Sequence, residues 1–146
     1  MYAAAGLPGT AADPLDVAVL ETFGETGTIT ASQHPRRLVT WTPTRDLRLL
    51  DLSATTWLAR ARGNTALMSG PRGVARDWAR AVWNAYPAVD GMAWSSSTLP
   101  AGTSIVLFER AATALPAHPT INVSLGDQRM TPALARIASD YGLLLV

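Results

Sequence analysis

The sequence predicts a single α+β domain. Its 146 residues suit one hydrophobic core. Apolar residues recur at helical spacing in some segments and alternate in others. Short helical segments are scattered among mostly short strands, and no repeat or linker divides the chain.

The first helix is expected at Pro14–Phe23. Asp13 suits the N-cap, Pro14 the first helical position, and Asp16 the first turn, where a negative charge favours the helix dipole; Gly24 is a natural stop. Arg37–Trp41 alternates as a strand, Pro43–Thr44 turns, and Leu47–Leu52 reads as a second strand. Ser53 caps a short helix ending at Gly63. A longer helix spans Pro71–Ala85, with Val74, Trp78, Ala81, Val82 and Ala85 on its expected buried face. Short strands follow at Gly91–Trp94, Ser104–Glu109 and Thr120–Leu125. A last helix is capped by Thr131 with Pro132 behind it; its apolar side is Leu134, Ile137, Ala138 and Tyr141. Leu143–Val146 finishes as a strand. The low-complexity stretches Ala3–Ala12 and Ser95–Ser104 read as loops.

Composition excludes several chemistries. The chain is 48% hydrophobic and 16% charged, below the usual charged share of roughly 25%, which argues against disorder. All 12 basic residues are Arg, so Walker-type, Schiff-base and Ser–Lys chemistry are excluded. The absence of Cys excludes thiol nucleophiles, disulfides and thiolate metal sites, and with 2 His a zinc centre is not expected. A net charge of +1 gives no footprint for direct nucleic-acid binding. Neither a membrane span nor a signal peptide is recognisable, so the expected compartment is the cytoplasm.

Glu21 is the most informative position. Its helix is apolar on almost every side, and a carboxylate in the last turn opposes the dipole at a cost of about 0.3–1 kcal/mol. A residue that breaks two local rules is a functional candidate, the alternative being a helix-end glutamate reaching to solvent. The second candidate is Asp90-Gly91-Met92-Ala93-Trp94-Ser95-Ser96-Ser97, where a glycine leads into a buried strand that ends in hydroxyls; the alternative is a polar loop. Arg36 and Arg37 open a strand and could meet a phosphate. The stripe Arg72, Arg76, Arg80 reads as a solvated helix face, the tryptophans mostly as core, and His34 and His118 as loop residues without a role.

Taken in order, these segments resemble the RES domain, a bacterial family named for an Arg, a Glu and a Ser. Met1-Tyr2-Ala3-Ala4 is similar to the family's short tyrosine-bearing strand, and Asp16-Val17-Ala18-Val19-Leu20-Glu21-Thr22-Phe23 to its glutamate helix. Arg76-Asp77-Trp78-Ala79-Arg80-Ala81-Val82 resembles the amphipathic helix before the serine strand. Asp90-Gly91-Met92-Ala93-Trp94-Ser95-Ser96, followed by Ile105-Val106-Leu107-Phe108-Glu109, resembles the family's Asp-Gly-aliphatic-x-aromatic-x-Ser pattern and its next strand. The resemblance covers essentially the whole chain, residues 1–146.

The resemblance implies an ADP-ribosyltransferase-like fold of mixed and antiparallel sheets with short flanking helices. It implies a toxin that consumes NAD+ as substrate, without a prosthetic group or metal, by hydrolysis or phosphorolysis of the nicotinamide–ribose bond. It also implies a cognate antitoxin with an Xre-like DNA-binding part; a homodimer is compatible with it. Carried over, Glu21 is the catalytic carboxylate, Tyr2 stacks on the nicotinamide or ribose, and Ser96, with Ser95 as the register alternative, bonds the ribose region. The family's signature arginine lies upstream of the tyrosine and has no counterpart here, so a member lacking the first strand is expected, with Arg36 or Arg37 as substitutes at the pyrophosphate. Two alternatives stay open: a catalytically impaired member that acts only by binding a partner, and a transferase that passes ADP-ribose to a macromolecule.

Overall fold

The computed structural model of the chain describes residues 2–7, 10–33, 35–53, 55–61 and 72–146. Its elements run in the order β1 (Tyr2–Ala5), α1 (Pro14–Phe23), β2 (Thr28–Ile29), β3 (Arg37–Thr40), β4 (Leu49–Asp51), α2 (Thr55–Arg60) and α3 (Arg72–Ala85). There follow β5 (Gly91–Ser95), β6 (Thr103–Leu107), β7 (Ile121–Ser124), α4 (Thr131–Tyr141) and β8 (Leu144–Leu145). This is the α+β arrangement expected, with no described helix long and apolar enough to cross a membrane.

The main sheet has the strand order β1-β6-β5-β4; β6 is antiparallel to both neighbours, while β4 is parallel to β5. Alternation sends its side chains to two cores. On one face Leu50, Met92, Trp94 and Val106 pack with Leu52, Trp57, Trp78, Ala79 and Val82, so that α3 lies on this face. On the other face Ala3, Ala5, Leu49, Ala93, Ile105 and Leu107 pack with Leu47, Leu115 and Ala111, the last from a 3-10 turn at Glu109–Ala114. A third core joins α1 to α4 through Val19, Phe23, Leu134, Ile137 and Ala138. The parallel pair β2–β8 and the antiparallel pair β3–β7 enclose it with Ile29, Leu38 and Val123.

Several boundaries differ from expectation. The Ala3–Ala12 stretch is not wholly a loop, because β1 pairs Tyr2 with Val106 and Ala5 with Thr103. Alanines carry no alternating signal, so the residues alone read as loop, whereas the family resemblance places a short strand at residues 1–4. Likewise β6 stops at Leu107, and Glu109 begins the 3-10 turn. Helix α3 buries Val82 and rests Trp78 and Ala79 on the sheet, but Val74 is 46% exposed and Ala81 and Ala85 are exposed as well. Its buried stripe is thus narrower than the apolar periodicity. His34 and the end of the expected second helix, near Gly63, lie outside the described residues.

Two buried acids join distant segments. Asp16 receives a bidentate pair from Arg136 of α4 (2.5 and 3.1 Å) and a hydrogen bond from the Tyr141 hydroxyl (3.2 Å). Asp90, just before β5, receives both Nη groups of Arg45 (2.8 and 2.7 Å) and the Arg48 backbone N–H (2.9 Å). Gly91 comes next because a Cβ there would run into the Val106 carbonyl oxygen on β6. The Asp-Gly step therefore anchors one end of β5 and brings β6 close.

The Arg45 guanidinium, helped by the Arg48 N–H, holds the Asp90 carboxyl down at about 2 against the opposing effect of its burial. An unfolded aspartate titrates near 3.9, so this stabilisation is complete above about pH 4 and is lost as pH falls toward about 2. In urea unfolding, Asp90→Asn is expected to be less stable than wild type at neutral pH, with the two midpoints converging near pH 2. Parallel curves across that window would remove Asp90 from the acid response.

Candidate active site

Helix α1 carries two different faces. Asp13 caps it by accepting from the Leu15 N–H (2.8 Å), with Pro14 as its first residue. Leu15, Val19 and Phe23 turn toward α4, whereas Val17 and Glu21 lie about 160–200° away, toward the main sheet. The helix lies against β1 and β6. Val17, Val19, Leu20 and Phe23 are all buried, and each is worth about 1.5–3 kcal/mol. That outweighs the cost of about 0.3–1 kcal/mol for a carboxylate in the last turn. Packing therefore dictates where Glu21 stands.

Gly102 permits this contact. A Cβ at residue 102 would collide with the Val17 side chain, so glycine lets α1 settle on the turn between β5 and β6. The turn is closed by the Ser96 N–H on the Gly102 carbonyl (2.9 Å) and by the Gly102 N–H on the Leu99 carbonyl (2.8 Å). One helical turn beyond Val17, Glu21 faces the same turn.

There Glu21 meets Ser96, 75 residues away in the chain: the Ser96 hydroxyl donates to Glu21 Oε1 at 2.5 Å. Ser96 is 2% exposed, and its oxygen also accepts the Leu99 and Thr98 backbone N–H groups (3.1 and 3.3 Å). The Thr98 hydroxyl lies 3.1 Å from the same oxygen. Ser96 is thus held on its acceptor side by the turn and aims its proton at the carboxylate. Ser104 on β6, fully buried, adds a longer contact to the same Oε1 (3.5 Å). The arrangement supplies an oriented carboxylate at a sheet end, suited to stabilising positive charge or taking a hydrogen bond from a hydroxyl.

The other expected site residues are distributed as follows. Ser95 is exposed and alternates to the face of Ala93, so Ser96 and not Ser95 joins Glu21. Tyr2 lies in β1 opposite Val106, two positions from the Ala4–Ser104 pair; its side chain falls outside the described atoms. The structure does not bring Arg36 or Arg37 to this pair. Arg36 stacks over the Phe23 ring at 4.7 Å, about 200° around α1 from Glu21. Arg37 bonds the Asn122 side chain and carbonyl (2.5 and 2.9 Å) on β7. Arg76 and Arg80 are exposed, as a solvated stripe should be, and His118 is an exposed loop residue. Among the described residues, no group of three or more His, Asp or Glu is placed to share a metal ion.

Two participants escape a sequence reading. Thr98 sits in a run of small polar residues that reads as loop. Ser104 leaves a fainter trace, as the one serine in the strand Thr103–Leu107, on the face of Val106.

Gly102→Ala is expected to lower stability by about 1–3 kcal/mol through the clash with Val17, a Tm loss of roughly 3–10 °C. Gly73→Ala, where an added Cβ meets nothing within 4 Å, is expected to melt at or above wild type. Equal melting temperatures for the two variants would contradict the close approach of α1. Comparison with protein-family models, with curated proteins and with solved structures gives no match to this chain.

Proposed function

We propose that the protein is a RES-type enzyme that cleaves the nicotinamide–ribose bond of NAD+, on an ADP-ribosyltransferase-like fold. The observation that carries this reading is the hydrogen bond between Ser96 and Glu21, which joins the two residues singled out by the resemblance across 75 positions. The mixed sheet and the β1 strand bearing Tyr2 beside β6 support it further.

The chemistry follows from the carboxylate. As the bond between the ribose anomeric carbon and the pyridinium nitrogen breaks, its electron pair goes to nitrogen and neutral nicotinamide leaves. The ribose then carries oxocarbenium character, which a nearby Glu21 carboxylate stabilises while orienting a ribose hydroxyl or the attacking water. Water adds to the anomeric carbon and gives up one proton, so the products are ADP-ribose, nicotinamide and H+. Inorganic phosphate as acceptor gives the ribosyl phosphate instead. Ser96 steadies Glu21 Oε1 next to the ribose, and the family resemblance gives Tyr2 the stacking role at the nicotinamide end. The pyrophosphate is not assigned to Arg36 or Arg37, whose guanidinium groups are engaged at Phe23 and Asn122. The same reading makes the protein a cytoplasmic toxin neutralised by an antitoxin with an Xre-like DNA-binding part.

The test is NAD+ consumption by the purified chain, with circular dichroism as a check on folding. Wild type is expected to release nicotinamide, Glu21→Gln to lose at least about 100-fold in rate, Ser96→Ala to lose activity in part, and Ser95→Ala to match wild type. Nicotinamide release at the wild-type rate by folded Glu21→Gln would end the assignment. Labelled ADP-ribose appearing on a protein or RNA would identify a transferase, and an inert, folded wild type would favour a member that works only by binding.

A further inference from the structure

A second feature lies on the same sheet face as the Glu21–Ser96 pair. An open cavity of about 460 Å³ is lined by Thr56, Trp57, Arg60, Ala61 and Tyr86. Its volume is in the range of small-molecule sites. Trp57 and Arg60 stand three residues apart on α2 and so share one side of that helix, while Tyr86 directly follows α3.

The wall is braced. The Trp57 indole N–H donates to the Tyr86 hydroxyl (3.2 Å), and the Trp57 ring meets Trp78 edge to face, with centroids 6.2 Å apart and planes at 68°. Trp57 is half-buried, its inner side set in the cluster that includes Trp94. Trp94 is two residues before Ser96, so that cluster is continuous with the strand end that carries the candidate site. The lining combines a fixed aromatic ring, a phenol and an exposed guanidinium, which suits a flat heteroaromatic base joined to an anionic group.

We propose that this cavity receives the purine nucleotide end of the dinucleotide whose other end is cleaved at Glu21; the inference rests on the NAD+ reading above. Charge assigns the orientation. The nicotinamide ring is a cation and belongs beside a carboxylate, whereas Arg60 would repel it and attracts the phosphate attached to adenosine. The adenine stacks on Trp57, and the Tyr86 hydroxyl is at hand for its polar edge.

The test titrates AMP into the purified chain by calorimetry and follows NAD+ kinetics in the same variants. AMP is expected to bind wild type and Glu21→Gln equally. Trp57→Ala should weaken AMP binding about tenfold and Arg60→Ala several-fold, by loss of stacking and of the phosphate contact respectively. KM for NAD+ should rise in both by similar factors while kcat stays within about twofold, because neither group touches the bond that breaks. Arg60 is exposed, so its variant reports even where loss of Trp57 disturbs folding. Unchanged AMP affinity in folded Arg60→Ala and Trp57→Ala, or no AMP binding by folded wild type, would overturn the assignment. No NAD+ cleavage by folded wild type, with AMP binding still dependent on Trp57 and Arg60, would instead refute the cleavage reading and leave a nucleotide site.

Discussion

Everything in this molecule leans on a ten-residue helix pressed on two sides at once. One face of α1 fills the core shared with α4, β2 and β7, and the opposite face rests on the turn between β5 and β6. The close approach is possible because residue 102 has no side chain to obstruct Val17. Asp16 then pins the start of the helix to Arg136 and Tyr141, so its rotation about its own axis is set at more than one height. A carboxylate one turn beyond Val17 has little freedom left, and its hydrogen bond to Ser96 completes a position that packing has already chosen.

Among the described residues, the two buried acids put arginine to structural use. Asp16 and Asp90 each take a bidentate arginine and tie together segments far apart in the chain. Glu21 takes the hydroxyls of Ser96 and Ser104 on Oε1, which orient the group. Arg110 shows the structural use of a cation equally well: it lies 3.7 Å over the Trp83 ring and donates to the Trp83 and Tyr86 carbonyls, closing the open end of α3. Arginine without lysine in the composition thus has a structural reading, since planar forks and flat cations are what these contacts need.

Helix α1 and helix α4 were legible in the sequence because apolar spacing and tertiary packing agree there; Asp13 caps α1 as expected, whereas Thr131 is the first residue of α4, behind Met130 at the cap position, and its side chain makes no cap hydrogen bond. Glu21 was visible for the opposite reason, as a charge in the wrong place on an apolar helix. Ser96 came from a family pattern; the residues alone could not separate it from Ser95, since a one-residue choice of register inverts the face and only the β5–β6 pairing decides it. What stayed hidden depends on partners remote in sequence. Strand β2, only two residues long, gave no signal, and Ser104 acquires meaning only once α1 is laid across β6; β1, nearly all alanine, was visible through the family resemblance alone, and β8 as part of the apolar end Leu143–Val146. Val74 and Ala85 erred the other way, apolar residues on a helix whose far side faces water.

The pairing of β2 with β8 has a kinetic consequence. Residues 28–29 find their strand partners at 144–145, and Asp16 finds Arg136 120 positions later. Contacts this remote form slowly, because a long loop must close before any of them is rewarded. The core face of α1 therefore stays uncovered until the C-terminal helix and strand have emerged from the ribosome and docked. Glu21 and Ser96 have both been synthesised well before then, yet the platform that holds them in register is assembled only once α4 and β8 have docked.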